Sequence, residues 1–575
     1  MKTRTMKVFL YYSLSLWVLF FYAFPSFSQS GRIPAPAQNG MVVSSHYLAS
    51  QAGDEILKKG GNAVDAAVAT ALALAVTLPS AGNIGGGGFL VYHGHNGYQT
   101  TFNFREKAPL AATATMYLDE NGKIKNNSNH EGLLSVGVPG TVAGLYLAHQ
   151  KLGKLKWAEL VRPAIKLAKK GFVSTWAMQD FLDYIEANKA KYPTTAATFL
   201  KNGATKYQPG EIWKQKDLAN SLKRIKKHGA AGFYKGKTAQ LLVDFMKANG
   251  GIITPKDLEK YQAEELKPIH GTYRGYDIYS MPPPSSGGVA LVEMLNILEG
   301  FNLTEMGPNS GSYLHVLTEA MRRAYADRAQ YIGDPNFNAN MPLPQLLSKP
   351  YAEKLRTTIN LAKASVSDSA RFTAAYLRPE SPETTHLSVV DKEGNAVSLT
   401  YTLENSYGCR IVVPGAGFLL NNEMGDFNPV PGITNNKGQI GTPANLVAPE
   451  KRMLSSMTPT IVAKDGKPVL VIGSPGGRTI INTTMQVILN VLDHKMNVAE
   501  AIESPRIHHQ WLPNVTSFEK LGFSPDTQKL YESMGHPLIK VGGIGSAMGI
   551  FIDHNKKLLY GGADSRSFDG KAVGH

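Results

Sequence analysis

Residues 384–403 read TTHLSVVDKEGNAVSLTYTL, and the alternation in this stretch decides how the chain folds around it. Thr384 to Asp391 and Ala396 to Leu403 each repeat with period two, and Lys392, Glu393 and Gly394 separate them. The pattern predicts a β-hairpin closed by a three-residue loop with Gly394 in the left-handed position, pairing residues whose numbers sum to 786. In that register Leu387 faces Leu399 and Val389 faces Val397 on one side, while His386 faces Thr400, Ser388 faces Ser398 and Thr384 faces Thr402 on the other. A slip of one residue sets Leu387 against Thr400 and mixes the faces, which burial of one face opposes. Directly opposed residues bring their Cβ atoms to about 4.5–5.5 Å, so the hydroxyls of Thr384 and Thr402 can bond. Taken alone, this is an ordinary cross-strand pair.

Upstream, Tyr47 to Lys59 and Ala63 to Val76 carry helical spacing, with Gly60 and Gly61 between them. The glycine run Gly85 to Gly88 then leads into a strand, Phe89 to Tyr92. A dinucleotide fingerprint has the strand before the glycines, so that reading is rejected. The run instead marks a close backbone approach, between packed layers or beside a ligand. Residues 140–362 are mostly helical in period, with a strand-like island at His270 to Met281. From Thr384 onward strands take over, with hairpins expected around Asp465-Gly466 and His554 to Lys557.

Several groups near the hairpin carry chemistry. Gly473 to Gly477 (GSPGG) follows a strand and opens a helix, and backbone N–H groups at a helix start can hold an oxyanion. Ser455 and Ser456 form a hydroxyl pair. Glu404, Glu423 and Asp426 follow strand-like segments, including Leu419 to Asn422, and Arg105 ends another strand where it can clamp a carboxylate. Surface salt bridges and an ordinary strand-to-helix turn account equally well for these groups one at a time. His508 and His509 are adjacent on a strand, face opposite ways and read as structural.

Together these motifs resemble the γ-glutamyltransferases (γ-glutamyltranspeptidases, glutathione hydrolases) of the N-terminal nucleophile hydrolase superfamily. The similarity runs from about Gly40 to the C-terminus through Ala81 to Gly88, Phe104-Arg105-Glu106, Thr384-Thr385-His386, Leu419 to Asn422, Leu454 to Met457 and Gly473 to Gly477. The resemblance implies a four-layer αββα sandwich, self-cleavage between Glu383 and Thr384, and one intertwined unit made of a large subunit (29–383) and a small subunit (384–575). Thr384 is then the nucleophile, oriented by Thr402. Gly476 and Gly477 supply the oxyanion donors. Arg105, Ser455 and Ser456 bind the α-carboxylate of a γ-glutamyl group, and Glu404, Glu423 and Asp426 take its α-amino group. Glu404 stands where other members carry Asn, and Lys437, in the lid-like stretch Pro431 to Gly441, stands where lidded members often place Tyr. The implied reaction takes glutathione or related compounds, passes the γ-glutamyl group to water or to amino acids and peptides, and uses no metal or organic cofactor. A cephalosporin (glutaryl) acylase keeps both threonines but has no need of carboxylates for an α-amino group; a secreted binding module never cuts itself.

Composition sets the outer bounds. The chain has 575 residues, 43% hydrophobic and 18% charged, enough for a large core. A lone cysteine, Cys409, excludes an intrachain disulfide and a four-cysteine zinc site. Lys2, Arg4 and Lys7 precede an apolar stretch, Val8 to Phe24, with Ser26 and Ser28 ahead of a cut, so residues 1–28 read as a secretory signal peptide and the protein as periplasmic or secreted. That stretch is short of the about 20 residues a membrane anchor needs. The net charge of +15 comes from scattered basic residues, the densest run being Lys223 to Lys227 on an amphipathic helix, so neither nucleic acid nor a polyanion surface is favoured.

Overall fold

The hairpin forms in the register its side chains demand. In the computed structural model, strands Thr385–Asp391 and Ala396–Thr402 run antiparallel, with His386 opposite Thr400, Leu387 opposite Leu399 and Val389 opposite Val397. Gly394 turns the loop at φ +91°. The structure describes residues 32–367, 384–434 and 440–575. The expected leader, Glu383 and Lys437 lie outside them.

The hairpin is the middle of a seven-stranded sheet in the order Lys571–Gly574, Gly40–Ser44, Thr385–Asp391, Ala396–Thr402, Gly87–His93, Gln99–Asn103, Glu264–Leu266. A central position buries both faces of the hairpin. Leu387, Val389, Val397 and Leu399 pack under helices that include Tyr47–Lys58 and Ala63–Thr77. The second of these is buried along its whole length, and its alanines let it lie close to the strands. Asn62 and Asp65 close its first turn in a reciprocal capping box.

The polar face meets a second seven-stranded sheet: Ala35–Ala37, Leu558–Ala563, Met548–Asp553, Lys467–Gly473, Thr460–Lys464, Tyr276–Ser280, Ile269–Tyr273. Buried polar side chains need partners, and here they have them. Ser398 donates to Ile472 O at 3.0 Å and Ser388 to Met548 O at 2.9 Å. Because Ser388 spends its proton there, it accepts from His386 Nε2 at 3.1 Å, which leaves Nδ1 to accept from Thr400 at 2.8 Å. Burial pulls the His386 pKa down to about 3, so the ring is neutral. Helices Gly287–Leu298, Gly311–Tyr331 and Thr479–Leu492 cover the outer face of this sheet. The result is the αββα sandwich.

The hairpins expected at Asp465-Gly466 and His554 to Lys557 are present, as is the island near His270, which pairs Ile269–Tyr273 with Tyr276–Ser280. Leu419 to Asn422 is not a strand. It forms only an isolated bridge, Val412 to Leu419, because the Asn421 amide donates to Gly85 O and Gly137 O, both at 2.8 Å, and so pins a loop. Among the described residues no helix is long and apolar enough to cross a membrane.

Candidate active site

Thr384 sits at the open end of the hairpin, buried, and its Oγ1 donates to Thr402 Oγ1 at 3.4 Å. The Thr402 hydroxyl is also held from its own strand end, where the backbone N–H of Glu404 donates to it at 3.0 Å. Glu404 reaches this position through a left-handed backbone, φ +75°. The glycine run braces the same point. Asn83 donates to Thr402 O at 2.8 Å and accepts from Gly86 N at 2.9 Å and Thr141 Oγ1 at 2.7 Å. A Cβ on Gly86 would lie 2.1 Å from Thr402 O, and one on Gly85 2.3 Å from Leu419 O. These glycines therefore serve an approach of backbone to backbone.

A cavity of about 660 Å³, counted to its open mouth, brings Thr384 and Thr402 together with Arg105, Glu404, Glu423, Asp426, Ser455, Ser456 and Gly477. Gly476 is one residue behind this wall. Both glycines adopt positive φ, +134° and +55°, before helix Thr479–Leu492. Among the described residues neither glycine's N–H is taken by a backbone acceptor.

Arg105 is fully buried just beyond the strand Gln99–Asn103. Its guanidinium donates to Glu423 and Asp426, and also to Met453 O at 3.3 Å and Leu454 O at 3.1 Å. Burial works against its charge, but the Glu423 and Asp426 carboxylates outweigh burial and raise its pKa. The carboxylates expected to meet an amino group thus neutralise Arg105 in this structure. Behind them Glu106 is buried with no hydrogen-bond donor to either oxygen, and Glu423 Oε2 has none. Burial raises both acids, with Arg105 opposing, Glu106 to about 7.

The two serine hydroxyls are prepared to donate. Ser455 Oγ accepts from Met457 N at 3.1 Å, and Ser456 Oγ accepts from Arg328 at 2.8 Å. Arg328 and Asn445 line the cavity and were not singled out by sequence. Asn445 joins two walls, donating to Asp426 O at 2.7 Å and accepting from Leu454 N at 2.9 Å. No spacing rule marks either residue. His508 hydrogen-bonds with Asn482 at 2.7 Å and Gln510 at 2.8 Å, away from the cavity. Among the described residues no cluster of His, Cys, Asp or Glu suits a metal.

The family model described as Gamma-glutamyltranspeptidase matches residues 49–574. A glutathione hydrolase proenzyme of Pseudomonas sp. (strain A14) is 47% identical, the match covering 95% of this chain and 96% of the relative. An acylase ACY 1 proenzyme of Pseudomonas sp. (strain V22) is 40% identical, covering 82% of this chain and 83% of the relative. Among solved structures, cephalosporin acylase from Bacillus halodurans superposes with a TM-score of 0.83 at 29% identity, covering 96% of this chain and 98% of that one.

Proposed function

The chain belongs to the gamma-glutamyltranspeptidase family and is a self-processing γ-glutamyl hydrolase and transferase, and from this premise we propose that Thr384, freed by cleavage after Glu383, is its nucleophile. The observation that carries the assignment is the Thr384–Thr402 hydroxyl pair, 3.4 Å apart in a cavity that also holds Arg105 and three carboxylates.

Proton bookkeeping orders the steps. A threonine hydroxyl is a weak nucleophile and needs a base. In the precursor Thr384 has no free amine, so its hydroxyl, oriented by Thr402, attacks the Glu383 carbonyl; the acyl group moves from nitrogen to oxygen, and water hydrolyses the ester. That cut creates the base. A free α-amine has an ordinary pKa of about 7.7–8.0, so a useful fraction is neutral near pH 7 and can take the hydroxyl proton. Thr384 then attacks the γ-amide of glutathione or a related compound. The N–H groups of Gly476 and Gly477 receive the negative charge that builds on the carbonyl oxygen. The amine leaves with a proton, and water or the amino group of an amino acid or peptide takes the γ-glutamyl group from the ester.

The cavity already carries charges that match those of such a ligand. A γ-glutamyl donor brings an α-carboxylate and an α-ammonium, so as it enters, the carboxylate can replace Asp426 on Arg105 while Asp426, with Glu404 and Glu423, turns to the ammonium. Each charge exchanges one partner for another, and neither is left bare in a half-buried site. A glutaryl donor has no ammonium to complete that exchange. Residues 1–28 serve as the export leader, and the mature enzyme works in the periplasm or outside the cell.

A denaturing gel of purified protein tests the processing: two bands of about 39 and 21 kDa are expected from typical residue masses, the smaller beginning Thr-Thr-His-Leu. Thr384→Ala is expected to leave one uncut, inactive chain. A Thr384→Ala protein that still splits at this bond overturns the assignment.

A further inference from the structure

We propose that Arg328 is a positioning residue for the donor's α-carboxylate, acting through Ser456; the proposal rests on the γ-glutamyl reading above and extends it to a further residue lining the cavity. Arg328 lies near the end of the long helix Gly311–Tyr331 and is 8% exposed. Its Nε donates to Ser286 Oγ and one terminal nitrogen to Ser456 Oγ, both at 2.8 Å. A guanidinium only donates, so each serine oxygen must accept, and each hydroxyl proton is kept off the arginine.

Ser286 sends its proton to Ser455 O at 2.7 Å. Its backbone N–H reaches the same carbonyl at 2.8 Å. Ser455 and Ser456 are thereby tied to the start of helix Gly287–Leu298. Ser456 Oγ makes the bond from Arg328 and, among the described residues, no other side-chain bond. With Arg328 occupying a lone pair, the Ser456 O–H is turned from the helix and toward the cavity that the residue lines. A carboxylate is the group that such a proton suits. Arg105, another guanidinium lining the cavity, is already engaged by two carboxylates and two carbonyls. Arg328 adds a positive charge beside Ser456 and orients the hydroxyl that the cavity presents to a carboxylate.

The test compares two anilides on processed enzyme. γ-Glutamyl-p-nitroanilide carries the α-carboxylate; 4-aminobutanoyl-p-nitroanilide replaces it with hydrogen and keeps the amino group. With enzyme in excess, so that the slower donor is also scored, Arg328→Gln is expected to lower kcat/KM for the first about tenfold or more, chiefly through KM, and for the second less than about threefold. In a Ser456→Ala background the same substitution is expected to change γ-glutamyl turnover less than about threefold, because the hydroxyl it positions is gone. Arg328→Lys keeps a cation and a donor, falls between, and provides the same contrast if the glutamine variant does not fold. Parallel losses on both anilides, or a full penalty that persists without Ser456, overturn the proposal. Wild-type enzyme that ignores γ-glutamyl-p-nitroanilide but turns over the glutaryl anilide overturns the substrate reading itself, before any variant is compared.

Discussion

Of the three carboxylates around Arg105, Asp426 keeps 20% of its side chain exposed, against 1% for Glu423 and 0% for Glu106. It is therefore the one best placed to meet an incoming ammonium. A charge-assisted hydrogen bond contributes roughly 1.5–3 kcal/mol, so Asp426→Ala is expected to lower kcat/KM for γ-glutamyl-p-nitroanilide about 10- to 150-fold. Processing survives, because the scissile peptide brings no α-ammonium, and glutaryl-p-nitroanilide turnover falls little. Parallel losses on both donors in a folded, cut variant make Asp426 structural. Glu106 has a different signature. Its pKa rises from 4.5 to about 7, chiefly by burial, so between those values the folded state holds a proton that the unfolded state has released. That contribution to stability is present below about pH 4.5 and is lost as pH rises toward 7. Glu106→Gln cannot ionise, so its Tm is expected to fall less than the wild type's between pH 5 and 7. Identical pH profiles refute the assignment.

At the scale of one element, the hairpin end depends on contacts from a neighbouring strand. A methyl on Gly86 would stand 2.1 Å from Thr402 O and 2.8 Å from Asn83 Oδ1, and backbone cannot yield to that as a flexible side chain would. Gly86→Ala is expected to displace Thr402 and slow maturation at least tenfold while the helical layers stay folded, as judged by far-UV circular dichroism and a timed gel. Two threonines on one strand face provide the matched control. Thr402→Ala removes the partner of Thr384 and slows both processing and turnover. Thr400→Ala removes the partner of His386 Nδ1, which costs about 1–3 kcal/mol of stability and leaves turnover largely intact. Equal kinetic losses from the two show that Thr402 has no special role.

At the scale of the molecule, the two sides of the Glu383/Thr384 bond are woven through both sheets. The first sheet places Thr385–Asp391 against Gly40–Ser44, and Ala396–Thr402 against Gly87–His93. In the second, Tyr276–Ser280 pairs with Thr460–Lys464, and Ala35–Ala37 with Leu558–Ala563. Cutting one peptide bond removes none of these ladders. The cleaved protein is therefore expected to elute as one species in native size exclusion, to unfold in one cooperative transition, and to separate only in denaturant, although Cys409 offers no disulfide to hold the pieces. Small subunit that elutes alone without denaturant contradicts this.

Short-range pattern made much of this legible. Alternation and a three-residue loop determined the register 384–403, since a slip by one residue would have exchanged buried leucine for hydroxyl; the glycine run announced a close approach, since a Cβ is what such an approach forbids. The same logic failed at Leu419 to Asn422, where an apolar beginning suggested a strand and asparagine amides formed the loop instead. Resemblance named Arg105, Asp426 and the serines, but not how they are paired. That Arg105 is neutralised by Glu423 and Asp426, and that Arg328 and Asn445 belong to the cavity wall, was decided only by the tertiary structure. The reason is physical. Period and turn chemistry act over a few residues, whereas a charge finds its partner through space, here across 318 positions of sequence between Arg105 and Glu423 and 128 between Arg328 and Ser456.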